Sequence, residues 1–167
     1  MRTSIERAIG RSLLRDEVKH LIPTHAGATV LLVEDDDEMR EMLAATLRAD
    51  GYTPIEAADG DDAIEWLGLG ALDGEPSRWP SLLVSDVRLP YLSGLDILEG
   101  LALAGKRLPI VMITGFGDAE THARALELGA MCVLDKPFGL TAFRFAVRAA
   151  LRSGTTHRRT PDDGHVL

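Results

Sequence analysis

SLLVSDVRLPYLSG, residues 81–94, reads as a strand that ends in a carboxylate and must then turn at once. The apolar run Leu82-Leu83-Val84 carries the backbone up to Asp86. Pro90 cannot donate to a sheet ladder and Gly94 frees the backbone, so a loop has to follow. A carboxylate at the tip of a buried strand needs a partner or a chemical role, because burying an unpaired charge is costly.

Working outward, the same rhythm recurs. Val30–Val33, Ile110–Ile113 and Met131–Leu134 are uninterrupted apolar runs, and residues 53–57 form a weaker strand. Between them lie helical patterns at 36–49, 60–68, 94–104, 118–128 and 139–151. Met39, Leu43 and Leu47 mark the inner face of the first, while Gly51 and Gly129 close the first and fourth. The stretch GLGALDGEPSRWP, residues 68–80, is rich in turn formers and reads as a loop. Five β-α units with apolar strands predict an α/β chain: a doubly wound parallel sheet covered by helices on both faces. Ligands of such sheets bind at the carboxyl ends of the strands, where the strand order reverses.

The ends of the chain are different. Residues 3–22 predict a helix, with Thr3 and Glu6 spaced for a capping box. It carries two apolar stripes on roughly opposite sides, Ile5-Ile9-Leu13 and Leu14-Val18-Leu21. Residues 23–28 form a short linker, and the tail SGTTHRRTPDDGHVL, residues 153–167, has little to bury and is expected to be disordered. The expected division is therefore an N-terminal extension at 1–27, one domain at 28–152 and a tail at 153–167.

Totals narrow the function. A length of 167 residues with 46% apolar and 26% charged side chains fits one globular domain. No apolar stretch approaches a membrane span and no signal peptide is visible, so a cytoplasmic location and no membrane partner are expected. Cys132 is the single cysteine, which rules out an internal disulfide and suggests an inert core thiol. Residues 23–151 hold 10 lysines and arginines against 21 aspartates and glutamates. That balance argues against direct nucleic-acid contact and suits a cation or a basic partner.

Four strands end in reactive groups: Glu34-Asp35, Asp86, Thr114 and Lys136. Singly, each has an ordinary reading as a helix-start acid, a turn residue, a cap or a surface lysine. In a parallel sheet, however, all four ends share one rim. Three close carboxylates repel each other and call for a divalent cation; an oxygen-rich, partly hydrated site suits Mg²⁺. Asp86 is then a candidate nucleophile for a phosphoryl group, with Lys136 and Thr114 placed to contact its oxygens.

At this point the chain resembles the receiver domains of bacterial two-component response regulators. The matching segments are LLVEDD (31–36), SDVRLPYLSG (85–94), MITGFGD (112–118) and GAMCVLDKPF (129–138). The resemblance, over about residues 28–151, implies a flavodoxin-like five-stranded sheet of order 2-1-3-4-5. It implies Asp86 as phosphoacceptor, Glu34, Asp35, Asp86 and the Arg88 main-chain carbonyl as Mg²⁺ ligands, and a cis Lys136–Pro137 bond. It also implies a signalling switch rather than an enzyme, with at most slow self-phosphorylation and self-dephosphorylation. Its phosphodonor would be a histidine kinase or phosphotransfer protein. Output would run through contact with a protein target, since about 16 residues follow the last helix and a helix-turn-helix domain does not fit there. A homodimer through the N-terminal or last helix is a further expectation. The rival readings are the receiver part of a longer DNA-binding regulator and, more remotely, an aspartate-nucleophile phosphatase. The phosphatase pattern Asp-x-Asp is broken here, in Asp86-Val87-Arg88.

Besides a 68–80 loop that is longer than usual in the family and reads as a tolerated surface insertion, three features depart from or refine the pattern. Val133 stands three residues before the lysine, where most members have an aromatic, so the usual inward-turning ring has no counterpart. Arg88 and Phe116 sit two residues beyond Asp86 and Thr114, at positions that in the family flank the path of hydrolytic water. On the last helix, Leu140, Phe143, Val147, Ala150 and Leu151 form the packing face, which leaves Phe145 outside beside Arg144, Arg148 and Arg152.

Overall fold

The computed structural model describes residues 25–72, 79–115 and 117–156. Five strands alternate with five helices: β1 Thr29–Val33, α1 Asp37–Ala49, β2 Thr53–Ala57, α2 Gly60–Leu72, β3 Leu82–Asp86, α3 Gly94–Leu103, β4 Ile110–Thr114, α4 Ala119–Glu127, β5 Cys132–Asp135 and α5 Leu140–Thr156. All pairings are parallel and the spatial order is β2-β1-β3-β4-β5, as the resemblance implied. Pro54 lies in β2, an edge strand, where a missing backbone donor is tolerated.

Alternation along each strand builds two cores. Val30, Leu32, Val84, Val111 and Ile113 face α1 and α5, meeting Leu43, Leu47, Phe143 and Val147. Leu31, Val33, Leu83 and Met112 face the other three helices, meeting Ala63, Leu67, Ile97, Leu98 and Ala125. Burying one such aliphatic or aromatic side chain is worth roughly 1.5–3 kcal/mol, and β1, β3 and β4 are apolar on both faces for that reason. Phe145 is 74% exposed, as the periodicity of α5 predicts, whereas Leu140 lies at the margin of the packed face rather than within it.

Three sequence expectations are corrected or fall outside. Helix α2 continues to Leu72 instead of stopping at 68. Glycine raises the cost of a helix without forbidding one, so a glycine pair is a weak stop signal. Helix α5 reaches Thr156, past the expected start of a disordered tail at 153. Its last turns are held by the Ser153 hydroxyl donating to the Ala149 carbonyl (3.2 Å) and by Gly154 against Pro109. The expected helix at 3–22, Phe116 and residues 157–167 lie outside the described residues. Among the described residues, no helix is long and apolar enough to cross a membrane.

Candidate functional site

The carboxyl ends of β1, β3, β4 and β5 meet at one rim. Glu34 follows β1 directly and is 1% exposed; Asp86 ends β3 at 4% and Thr114 ends β4 at 0%. Asp35 stands exposed beside them. Glu34, Asp35 and Asp86 each offer a carboxylate oxygen within 4.8 Å of the others, which makes them a potential cation site.

Lys136, immediately after β5, reaches across to this cluster. Its Nζ donates to Asp86 Oδ2 at 2.5 Å and to Glu34 Oε2 and Oε1 at 2.9 and 3.1 Å. The other Asp86 oxygen, Oδ1, accepts from the Arg88 backbone N–H at 2.7 Å, which sets the Arg88 main chain beside the carboxylate. The Lys136 backbone N–H donates to the Thr114 carbonyl at 2.7 Å, so the lysine and the threonine are fixed to one another through the sheet.

The local sequence explains how each group is held. Asp36 caps α1 by accepting from the Met39 N–H (2.7 Å), so the chain must leave the sheet straight after Glu34-Asp35. Arg40, one turn into α1, donates to the Glu34 carbonyl at 2.8 Å and to Asp37 at 2.5 Å. Beyond Asp86, the Gly94 N–H donates to the Val87 carbonyl at 3.0 Å, and a β-carbon on Gly94 would collide with the Asp86 carbonyl. Only glycine lets α3 start that close to β3. Ser93 and Asp96 complete a capping box there.

Electrostatics follow from the crowding. Burial raises the affinity of Glu34 for a proton, and neighbouring Asp86 adds to this, while Lys136 works in the opposite direction. For Lys136, desolvation is outweighed by its bonds to Asp86 and Glu34, so its ammonium is held above the ordinary lysine range. Hard oxygen donors, two of them buried and one open to solvent, fit a small divalent cation that keeps part of its water shell. The lysine ammonium lying between two of the same carboxylates shows that the cluster accepts positive charge.

The structure brings Glu34, Asp35, Asp86 and Lys136 together and sets Thr114 at the neighbouring strand end. Sequence reasoning missed Arg40, whose spacing from Asp36 is an ordinary helix-start pattern, and the 2.8 Å contact between His122 and Asp135. Those two residues are distant in the fold's layout until β5 is placed beside α4. A groove of about 820 Å³ at the opposite end of the sheet, lined by Trp79, Leu101, Pro109 and Leu128 among others, has no part in this cluster.

Comparison with known proteins agrees with the geometry. Residues 30–148 match the family model of the response regulator receiver domain. The chain is 36% identical over 130 residues to the C4-dicarboxylate transport transcriptional regulatory protein DctD of Pseudomonas aeruginosa, covering 77% of this chain and 26% of that protein. It is 34% identical over 125 residues to the phosphate regulon transcriptional regulatory protein PhoB of Escherichia coli, covering 74% of this chain and 51% of PhoB. The chain thus spans between a quarter and about half the length of these relatives. In fold it is similar to a response regulator receiver domain from Clostridium thermocellum, with a TM-score of 0.69 at 21% identity over 78% of this chain and 98% of that one. With a matching sequence model, a β2-β1-β3-β4-β5 sheet and the acidic rim in place, the chain belongs to the response regulator receiver domain family.

Proposed function

We propose that the chain is a phosphorylation-dependent switch in which Asp86 accepts a phosphoryl group from a histidine kinase or a phosphotransfer protein. The observation that carries this reading is the placement of Asp86. It ends the central strand beside two further carboxylates, and the Lys136 ammonium, 2.5 Å from Asp86, bridges it to Glu34. A carboxylate oxygen of Asp86 attacks phosphorus, the bond from phosphorus to the donor's nitrogen breaks, and the donor's imidazole keeps that electron pair. An acyl phosphate on Asp86 results.

The chain's own groups prepare that step. The Arg88 N–H fixes the Asp86 carboxylate in orientation. Lys136 is placed to follow a phosphoryl oxygen as a point charge, and the Thr114 hydroxyl to donate to another. Glu34, Asp35, Asp86 and the Arg88 main-chain carbonyl would hold Mg²⁺, which when bound supplies the positive charge that offsets the incoming phosphoryl oxygens. Self-phosphorylation from small donors and self-dephosphorylation are slow reactions of the same site.

The test is chemical trapping. After incubation with Mg²⁺ and acetyl phosphate, borohydride reduction of an acyl phosphate at Asp86 converts that residue to homoserine, readable by peptide mass spectrometry. Homoserine at Asp35 or Glu34-derived product in its place would contradict the assignment. A second reading concerns the output. DctD and PhoB are named as transcriptional regulatory proteins and are longer than this chain. On that ground, a DNA-binding output in a longer protein stands beside output through direct protein contact.

A further inference from the structure

On α4, the His122 Nε2 lies 2.8 Å from Asp135 Oδ1, the last residue of β5 and the immediate neighbour of Lys136. Asp135 is also the register partner of Thr114 in the adjacent strand. The contact therefore ties α4 to the point where the two strand ends bearing Thr114 and Lys136 lie side by side.

Gly117 lies directly under that tie. A β-carbon there would collide with the Asp135 carboxylate and the His122 ring, and would come within 2.7 Å of the Thr114 methyl. The described residues leaving β4 and entering α4 are thus held at three places. The Lys136 N–H holds the Thr114 carbonyl at 2.7 Å; Asp118 caps α4 through the Thr121 N–H at 2.7 Å; the His122–Asp135 pair crosses over Gly117.

The pair is partly solvated, with side chains 31% and 58% exposed, and such pairs add little to global stability. A short turn, by contrast, opens locally on the strength of a few contacts, so one pair can govern it. Val133, half-buried against the α2–α4 side of the sheet, offers no aromatic ring for this purpose.

We infer that His122 and Asp135 are positioning residues: their contact straps Gly117 and the start of α4 to the end of β5 and thereby keeps Thr114 and Lys136 aligned on Asp86. This rests on the reading of Asp86 as the phosphoacceptor.

The experiment compares wild type, His122→Ala and His122→Gln in the full chain. Amide exchange of Lys136, whose N–H is held by the Thr114 carbonyl, and of Thr121, whose N–H is held by Asp118, should quicken at least about fivefold in His122→Ala, with Leu31–Val33 in β1 unchanged, because opening is local. His122→Gln, which keeps a donor within reach of Asp135, should return exchange to about twofold of wild type or better. Labelling by acetyl phosphate at saturating Mg²⁺ should slow in His122→Ala and recover in His122→Gln, while Mg²⁺ affinity stays level in all three. Wild-type exchange in His122→Ala, or a loosened turn that glutamine fails to restore, would overturn the strap. Unslowed labelling of His122→Ala would overturn its positioning role. Failure of wild type to label at all would overturn the Asp86 reading instead, and the exchange measurements would still decide the strap.

Discussion

The ammonium of Lys136 touches both carboxylate oxygens of Glu34, at 2.9 and 3.1 Å, although the two residues are 102 positions apart. Each sits at the end of a different strand, and the contact exists only because β1 and β5 run in the same direction on either side of β3 and β4. The same ammonium binds Asp86, so one lysine offsets two buried carboxylates.

Removing Lys136 should therefore be costly. Lys136→Met leaves Glu34 and Asp86 facing each other without a counter-charge, and we expect a loss of about 2 kcal/mol at neutral pH, less than for a fully buried pair because the lysine is one-fifth exposed. The pH dependence has a definite sign. The folded lysine holds its proton above the ordinary value of 10.5, so its contribution is complete below that pH and is lost as pH rises through the folded value. Urea titrations from neutral to alkaline pH should show wild type converging on the variant. A constant gap would contradict this.

Glu34 behaves in the opposite way. Burial raises its folded proton affinity above the ordinary 4.5, so ionisation costs stability as pH rises from about that value through the folded one. Glu34→Gln in chelator should resist urea better than wild type at pH 7, with the gap closing as the pH falls towards 4.5. Added Mg²⁺ should stabilise wild type more than the variant. A variant weaker than wild type at neutral pH in chelator would show that the Lys136 bond outweighs the desolvation.

Strands such as Val30–Val33 and Ile110–Ile113 could be read from sequence because both faces of a parallel sheet are dry, which leaves unbroken apolar runs. The rim could be read because parallel strands place their ends together. What stayed hidden depends on side chains meeting across elements. The His122–Asp135 pair joins a helix face to a strand end, and no periodicity reports such a meeting. Glycine-rich sequence from Gly68 predicts a stop, while the backbone of α2 continues helical to Leu72.

Tyr91 carries a local strain. It is 94% exposed with φ of 65°, in the left-handed region that bulky residues avoid. With little burial to lose, Tyr91→Asn should stabilise by about 0.5–1 kcal/mol, since asparagine tolerates this backbone better. Thermal or urea unfolding checks it, and an unchanged or lowered midpoint would mean that the tyrosine is held by contacts that compensate.

Arg88 and Phe116 should prolong the phosphorylated state. The resemblance implies that their positions flank the approach of water, which two bulky side chains there would obstruct. The acyl phosphate in wild type should outlast that in Arg88→Ala with Phe116→Ala severalfold, by decay of the labelled mass after donor removal. Equal lifetimes, or turnover within seconds in wild type, would contradict the obstruction.

The central claim is that Asp86 receives one phosphoryl group in a reaction that needs a divalent cation. Intact mass spectrometry of wild type and Asp86→Asn, each incubated with acetyl phosphate in Mg²⁺ or in excess chelator, measures it directly. The account predicts a single phosphoryl increment for wild type in Mg²⁺ and none in the other three samples. Stoichiometric labelling of Asp86→Asn, or full labelling of wild type in chelator, would contradict it.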